Sequence, residues 1–496
     1  MNYKSLFSSS DATLSQRVVR GSLWVFGLRI TERIFGLIRT IILARLLAPE
    51  DFGLFGIAML TMGILETFSQ FGITSALVQK KENTEDYLDT AWTIQVIRAL
   101  VLAFILFIIA PYIASFFNTP KVTSIIYVLA AFTWLGGLGN MGVVFFRKEL
   151  EFQRQFFLVF IPMVFDIGIS ITAAVLLRNA WALVFGWIAK YFVWVIISYF
   201  MHPYRPHFRF EKEKAGNLLN YGKWIFGSSI LVFFITHGDD IFLGKLLGAT
   251  ALGLYQMSYR IAGLPATEIT HTVSEITFPA YSKLQDKLSQ LQNGYLKTLQ
   301  LVSFISVPIG GGIFFLAPDF VQLFLGEKWI STIPALQVLA IWGIVHSIFE
   351  TTPPLFNGVG LPKINTYFDI AKLIILGIFI YPLTIKWGIV GTSFAVLLST
   401  LIVLSFVFYK VTKVIQCSIQ PLIKLISLPL MGTTVMLGSL SLLKYLIIDS
   451  INLISFIALI FAGILIYWGM TYLFDRFGNY GINPLIRKQF SLLMGR

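Results

Sequence analysis

Residues Gly21–Ala58 read GSLWVFGLRITERIFGLIRTIILARLLAPEDFGLFGIA. The first part is an apolar run long enough to cross a bilayer, yet it holds Arg29, Glu32, Arg33 and Arg39. A charge at the bilayer centre costs at least about 2.5–3.5 kcal/mol, so four in one helix need a reason. On a helical wheel of roughly 100° per residue the four fall on one arc about 120° wide. Trp24, Phe35, Leu37, Ile38 and Ile42 take the opposite side. One face suits lipid or packed helices; the other must meet water, protein or an anion.

The same stretch recurs two hundred residues on. Trp24-Val25-Phe26-Gly27 aligns with Trp224-Ile225-Phe226-Gly227, and Ala44-Arg45-Leu46-Leu47-Ala48 with Gly244-Lys245-Leu246-Leu247-Gly248. Phe52-Gly53-Leu54-Phe55 aligns with Leu252-Gly253-Leu254-Tyr255 at the same offset. Matches at one constant offset point to internal duplication, which many transporters carry.

Working outward, the whole chain shares this character. Of its 496 residues 56% are hydrophobic and 13% charged, and the mean hydropathy is +0.77. A soluble domain carries about 25% charged residues. Apolar runs follow one another almost without pause, so the chain reads as an all-α polytopic membrane protein with about 14 transmembrane helices. The net charge of +13 sits largely in short loops, where it sets orientation, and is not a nucleic-acid signature. The lone Cys417 excludes an internal disulfide and argues against a thiolate metal site. The polar N-terminus lacks the pattern of a cleaved signal peptide.

The spans are expected at about 20–46, 52–78, 90–116, 122–145, 156–177, 181–201, 218–247, 250–280, 298–323, 333–356, 364–384, 387–409, 421–445 and 453–474. One set of loops is basic: Lys4, Arg17 and Arg20, Lys80-Lys81, Arg147-Lys148, Arg205 to Lys214, Lys283 to Lys297, Lys363, Lys410, and a tail with Arg487 and Lys488. That excess places both termini in the cytoplasm. The polar segment 202–217 reads as a cytoplasmic linker between an N-lobe, 1–201, and a C-lobe, 218–411. An appended helix pair, 412–475, and a cytoplasmic tail, 476–496, follow. Six spans per lobe give both lobes the same sense, related by an axis along the membrane normal with a cavity between them.

Charged residues within spans are functional candidates by default. Arg29, Arg33 and Arg39 suit an anion, since guanidinium offers a permanent charge and a planar fork of donors. Glu66 and Gln70 lie one turn apart in span two, Gln95 and Arg98 in span three. Asp166 in span five has Lys190 in span six as a possible partner. In span eight Arg260, Glu268, His271 and Glu275 share one face, and Pro265 is expected to kink the helix. At the repeat offset Asp239 stands where Arg39 stands. Asp239 and Asp240 with Asn365, Asp369 and Thr392 supply hard oxygens suited to a sodium ion or a shared proton, with an Asp369–Lys372 ion pair as the plainer reading. His346 and Glu350 lie one turn apart and can pair. No metal site is assigned, and no transferable catalytic motif is present.

The segment Ile42–Glu82, ILARLLAPEDFGLFGIAMLTMGILETFSQFGITSALVQKKE, resembles the N-terminal signature of the polysaccharide transporter family. These are Wzx-type flippases of the multidrug/oligosaccharidyl-lipid/polysaccharide exporter superfamily, and the likeness is nearest to colanic-acid and teichuronic-acid type exporters. The resemblance implies two six-helix lobes plus two helices and no enzymatic activity. It implies transfer of polyprenyl-pyrophosphate-linked oligosaccharide across the bacterial cytoplasmic membrane, for O-antigen, capsule or exopolysaccharide, by alternating access coupled to sodium or protons. Membrane lipids, a polymerase and glycosyltransferases are the implied neighbours. Arg29, Arg33 and Arg260 match the kind of residue expected at the pyrophosphate, with Arg39, Glu66, Glu268 and His271 lining the same cavity. Two other readings are a multidrug/cation antiporter of the same superfamily and a membrane enzyme of polysaccharide assembly. The span-one arginines speak against the first, and the short outer loops against the second.

Overall fold

A computed structural model describes residues 14–69, 72–79, 84–447, 452–478 and 480–482. Side chains are described from Trp24 onward, except at 25–26, 217–229, 264–272, 447 and 477–478. Gln70, Lys80-Lys81, the extreme N-terminus and the basic tail beyond 482 lie outside the described residues. The described residues form helices and connecting turns, with no strand among them.

The chain opens with α1 (Leu14–Leu46), α2 (Pro49–Ser69) and the short α3 (Ile73–Gln79). α4 (Leu88–Phe116), α5 (Val122–Gly137), α6 (Val144–Lys148), α7 (Phe152–Leu177) and α8 (Trp181–Met201) follow. α9 (Lys212–Ala262) is broken at Gly248, and α10 (Leu264–Leu284) succeeds it. Then come α11 (Leu288–Phe320), α12 (Ile333–Phe349), α13 (Thr352–Gly358), α14 (Lys363–Val414, broken at Gly388), α15 (Ile419–Ile447) and α16 (Leu453–Gly478). Among the described residues nine helices are long and apolar enough to cross a membrane. A tenth is added if the pair Val122–Gly137 and Met141–Lys148, bent by 69°, is one span. Each expected span overlaps one or more helices; those at 20–46, 218–247 and 250–280 fall on α1, α9 and α10, which are not among the nine. The protein is a polytopic, all-helical membrane protein.

Several spans are less continuous than their hydropathy suggests. Span two divides into α2 and α3, and span four bends after Gly137. Span eight is interrupted at Gly263 rather than kinked at Pro265, which instead sits in the first turn of α10, where a missing N–H costs nothing. Arg260 therefore precedes that break, while Glu268, His271 and Glu275 follow it. Pro353 and Pro354 likewise start α13. Hydropathy averages over such breaks because the residues that make them are themselves apolar or small.

The repeat explains where α1 and α9 stop. α1 ends at Leu46, and Pro49 opens α2 with Glu50 and Asp51 in its first turn, favourable for the positive end of the helix dipole. The Asp51 carboxylate accepts the Ala48 N–H at 2.9 Å. Two hundred residues on, Gly248 takes φ +80° and ψ −177°, a conformation reserved for glycine, at the place of Ala48. Gly388 (φ +58°) breaks α14 the same way, and the hydroxyls of Thr384 and Thr392, 2.8 Å apart, bridge its two arms.

The chain divides into two compact units. Unit 1 comprises 1–233 with 244–250, and unit 2 comprises 234–243 with 251–496. In unit 1, α7 packs along α8 and α1, and α4 along α5. In unit 2, α11 packs against α10, α12 and α15, and α12 against α14. A buried core of Tyr281, Tyr295, Phe356, Val407 and Val411 holds α10, α11, α13 and α14 together. Outward faces remain apolar: Phe104 is 67% exposed on α4 and Phe461 62% on α16, as lipid-facing surfaces require.

Segment 202–211 is extended, and α9 starts at Lys212, inside the stretch expected as linker. The segment is tied to unit 1 throughout. Asn140, buried at the α5–α6 bend, donates to the carbonyls of His202 (3.2 Å) and Tyr204 (2.8 Å). The Tyr204 hydroxyl donates to Asp89, whose carboxylate also accepts the His207 N–H at 3.1 Å. Phe208 packs on Trp92 at 4.8 Å. His202 stacks on Phe145, and its Nδ1 accepts the Tyr204 N–H at 3.2 Å. Burial, with the charges of Arg154 and Arg205, holds the His202 imidazole below its ordinary pKa.

Candidate functional site

Unit 1 encloses a cavity of about 620 Å³ within its own helices. Five helices supply the wall: Met59, Met62 and Glu66 from α2; Gln95, Arg98, Ala99 and Leu102 from α4; Thr133 and Gly136 from α5; Pro162 from α7. Trp187, Lys190, Tyr191 and Trp194 come from α8. The volume is that of a ligand pocket, and the lining is mostly apolar with a few polar groups, the usual composition of a binding site. Arg98 Nε donates to Ser69 Oγ at 2.9 Å, and its charge interacts with Glu66. Gln95 Nε2 donates to the Gly137 carbonyl at 3.1 Å, leaving its amide oxygen to the cavity. Trp187 and Tyr191 are packed with ring centroids 4.3 Å apart.

Arg39 lies one helix away. Its Nη2 donates to Asp166 Oδ1 at 2.8 Å and its Nε to Ser170 Oγ at 3.2 Å. Both charged side chains are 14% exposed. The expected Asp166–Lys190 pair therefore gives way to Arg39–Asp166, and Lys190 faces the cavity instead. The reason is register: α1 packs along α7, which brings Arg39 level with Asp166.

The other expected anion residues are dispersed. Arg29 is half-buried and Arg33 exposed on α1, and each engages a neighbour, as does Glu32. Arg260 is exposed near the end of α9 in unit 2 and is also engaged. Glu268 and His271 fall on α10, with side chains outside the described residues.

Unit 2 gathers charges around buried Asp239 and Lys372, with the Glu350 and His237 side chains partly exposed. Asp239, 3% exposed, accepts the Tyr255 hydroxyl through Oδ2 at 2.5 Å, and its Oδ1 has no hydrogen-bond partner among the described residues. Asp240 Oδ2 lies 3.6 Å from His237 Nδ1. Lys372, buried on α14, interacts electrostatically with Glu350, Asp369 and Asp239, and its ammonium sits 5.9 Å from the Phe349 ring. His346 stacks on Trp342 at 4.8 Å, with Nδ1 3.8 Å from Glu350 Oε1. The structure thus brings Asp239 and Asp369 together with Glu350 and Lys372. Asn365 and Thr392 have other partners: Asn365 donates to Asn357 Oδ1 at 2.9 Å, and Thr392 meets Thr384. Among the described residues no group of three or more His, Cys, Asp or Glu is arranged to hold a metal ion.

Sequence reasoning set Gln95 beside Arg98 and paired Lys190 with Asp166, Glu350 with His346 and Lys372 with Asp369, but did not join Lys190 to Glu66, Gln95 and Arg98 or Lys372 to Glu350 and Asp239. Each is a lone charge or amide in an apolar run, and that was the available signal. Tyr255, Trp187 and Trp194 carried none, because an aromatic in a span reads as ordinary core.

Helices with apolar outer faces around a charged cavity define a polytopic membrane protein with an internal pocket. Residues 42–334, more than half of the chain, match the family described as "Polysaccharide biosynthesis protein", and the chain belongs to that family. It is 26% identical over 368 residues to the lipopolysaccharide biosynthesis protein WzxC of Escherichia coli (strain K12), covering 73% of this chain and 74% of that protein. Its fold is similar to the lipid II flippase MurJ in an inward closed conformation, with a TM-score of 0.74 and 16% identity over 92% of this chain and 99% of that one. It is also similar to an inward-facing multidrug resistance MATE family transporter of the MOP superfamily, with a TM-score of 0.60 and 17% identity over 78% and 96%. At these identities the two structures speak for the fold alone, and the chain shares the fold of those two proteins.

Proposed function

We propose that the protein is a flippase and not an enzyme. It turns polyprenyl-pyrophosphate-linked oligosaccharide from the inner to the outer leaflet of the bacterial cytoplasmic membrane for polysaccharide assembly. The observation that carries this reading is the charged, open cavity walled by membrane-spanning helices in a member of a polysaccharide biosynthesis family. A lipid-linked glycan needs a polar enclosure for its sugars while its tail remains in hydrocarbon. Arg29, Arg33 and Arg260 are the proposed contacts to the pyrophosphate, and the basic loops favour cytoplasmic termini. Arg39, paired with Asp166 at 2.8 Å, is proposed to brace the cavity wall between α1 and α7 and not to carry the anion.

Asp239, Asp240 and Asp369 are proposed to couple transport to a cation. Lys372 already sets a positive charge beside Asp239, Asp369 and Glu350, which favours an exchanged proton over sodium. The partners in this reading are the membrane lipids and the enzymes that make and polymerise the glycan.

The test is reconstitution in proteoliposomes with a fluorescent lipid-linked oligosaccharide, with and without an imposed ion gradient. Protein-dependent movement of label between leaflets is expected, lost in Arg29→Ala/Arg33→Ala. Wild-type rates equal to those of empty vesicles would sink the proposal, and normal flipping by the double variant would remove the arginines from it.

A further inference from the structure

We propose that the extended segment 202–211 of unit 1, with α6 beside it, binds the headgroup of an anionic phospholipid. The proposal stands apart from the flippase reading, since it concerns the lipid around the protein and not a transported substrate.

Position comes first. The segment leaves α8 at the end of an apolar span, where hydrocarbon gives way to headgroups. It runs past the first turns of α4, where the Asp89 carboxylate accepts the His207 N–H at 3.1 Å and the Thr93 hydroxyl accepts the Arg209 N–H at 3.1 Å. Lys214 Nζ donates to the Asp86 carbonyl at 2.9 Å, which holds the start of α9 at the same level. These bonds fix the backbone on unit 1 and leave aromatic side chains standing out of it. Phe208 is 74% exposed although one edge meets Trp92, Phe210 is 58% exposed, and Phe200 near the end of α8 is 86% exposed. Phenyl rings so bare are unfavourable in water and fit the boundary between headgroups and acyl chains.

Charge decides the headgroup. Residues 145–154 and 202–214 carry seven Lys and Arg against four Glu. Two of those carboxylates are spent: Glu211 pairs with Arg209 and Lys214, both at 2.8 Å, and Glu151 with Arg154 at 3.1 Å. Asp89, facing the segment from α4, is taken by the Tyr204 hydroxyl and the His207 N–H. Arg147 on α6 and Lys212 at the start of α9 are exposed, and their side chains make no hydrogen bond or ion pair among the described residues. Arg205 is fixed from one side: its Nη1 donates to the carbonyls of His202 and Tyr204 at 2.9 Å, and its guanidinium lies 5.7 Å from the Tyr199 ring. Its Nε and Nη2 remain for a ligand. Arg154 and Arg205 both bear on His202, adding to burial in lowering its pKa, so two guanidiniums converge at the α5–α6 bend. Convergent guanidinium donors suit a phosphate. A phosphatidyl headgroup supplies that phosphate, and its acyl chains cover the phenyl rings. A soluble phosphate has no apolar part to lay on those rings, and a zwitterionic lipid brings an ammonium that Arg147 and Lys212 repel.

The test titrates the full-length protein in neutral detergent with phosphatidylglycerol and phosphatidylcholine of matched acyl chains, and counts bound lipid by native mass spectrometry. Phosphatidylglycerol should bind about tenfold more tightly than phosphatidylcholine, and Arg147→Gln and Lys212→Gln should each cut that ratio about fivefold, the worth of one cation beside an anionic headgroup. Neither substitution breaks a side-chain hydrogen bond or ion pair among the described residues. Equal binding of the two lipids to the wild type would overturn the proposal. So would an unchanged ratio in Arg147→Gln/Lys212→Gln, which would assign the preference to basic loops elsewhere. Position is read separately. With Cys417→Ser removing the lone thiol, a spin label on Phe210→Cys should be relaxed more by oxygen than by a nickel chelate in phosphatidylglycerol vesicles. A label relaxed mainly by the chelate would place the segment in water and overturn the proposal even where the lipid preference holds.

Discussion

Arg39 and Asp239 stand at equivalent places in the two repeats, and their surroundings differ as much as their charges. In unit 1 Arg39 is neutralised directly by Asp166 from α7, and that pairing leaves Lys190 facing an open cavity. In unit 2 Asp239 is held by the Tyr255 hydroxyl, and the cluster of Asp239, Glu350 and Asp369 is balanced at a distance by one buried ammonium, Lys372. One unit spends its ion pair to keep a cation available; the other keeps its charges to itself. The two matching helices face different residues: the Asp166 carboxylate and Ser170 in one, the buried Tyr255 hydroxyl in the other.

The contrast can be tested by substitution. Arg39→Ala strands Asp166 and should cost about 3–5 kcal/mol, the range for removing one partner of a buried pair. Thermal unfolding in detergent measures it, and Arg39→Ala/Asp166→Ala should recover much of the loss. If the double variant is no better than the single, the pair is not what holds α1 to α7. Lys372→Gln should destabilise unit 2 by about 2 kcal/mol, since it leaves the carboxylates without their cation. Lys190→Gln should change stability by less than about 0.5 kcal/mol. Equal effects of the two lysine variants would erase the distinction between the exposed cavity lysine and the buried one. Tyr255→Phe, which removes only the hydroxyl, should cost about 1–2 kcal/mol, read by the same unfolding assay.

The smallest effect concerns the extended segment along unit 1. Folding holds the His202 pKa below its ordinary 6.5, so the unfolded segment binds the extra proton as pH falls. The attachment is intact above pH 6.5 and weakens as pH drops through and below it. The chemistry agrees, because a protonated Nδ1 can no longer accept the Tyr204 N–H. Amide protection factors across residues 202–211, with the intrinsic pH dependence of exchange divided out, should fall from about pH 7.5 to 5.5 in the wild type. In His202→Gln that pH dependence should vanish.

Much of the fold was legible because the bilayer imposes simple rules. Spanning segments must be helical and apolar over about 20 residues, so every expected span overlaps helix among the described residues. The offset of two hundred placed the break at Gly248 opposite Ala48. The interruptions at Gly137 and Gly263 were not legible, since a glycine in an apolar run signals close packing as readily as a bend. The site was legible only as separate charges. Asp166 was matched to Lys190 on the neighbouring helix, yet a side chain 127 residues away took it.

By itself the sequence determined the class of protein, the order of its helices, the duplication and which charges required explanation. These follow from local composition and periodicity, which the membrane reads residue by residue. Tertiary structure alone decided which charge meets which. Pairing depends on the rotation and register of helices packed side by side, and a shift of one residue turns a side chain about 100° away from its partner. Arg39 with Asp166, Lys372 among three carboxylates, and Lys190 facing the cavity are all decisions of that kind.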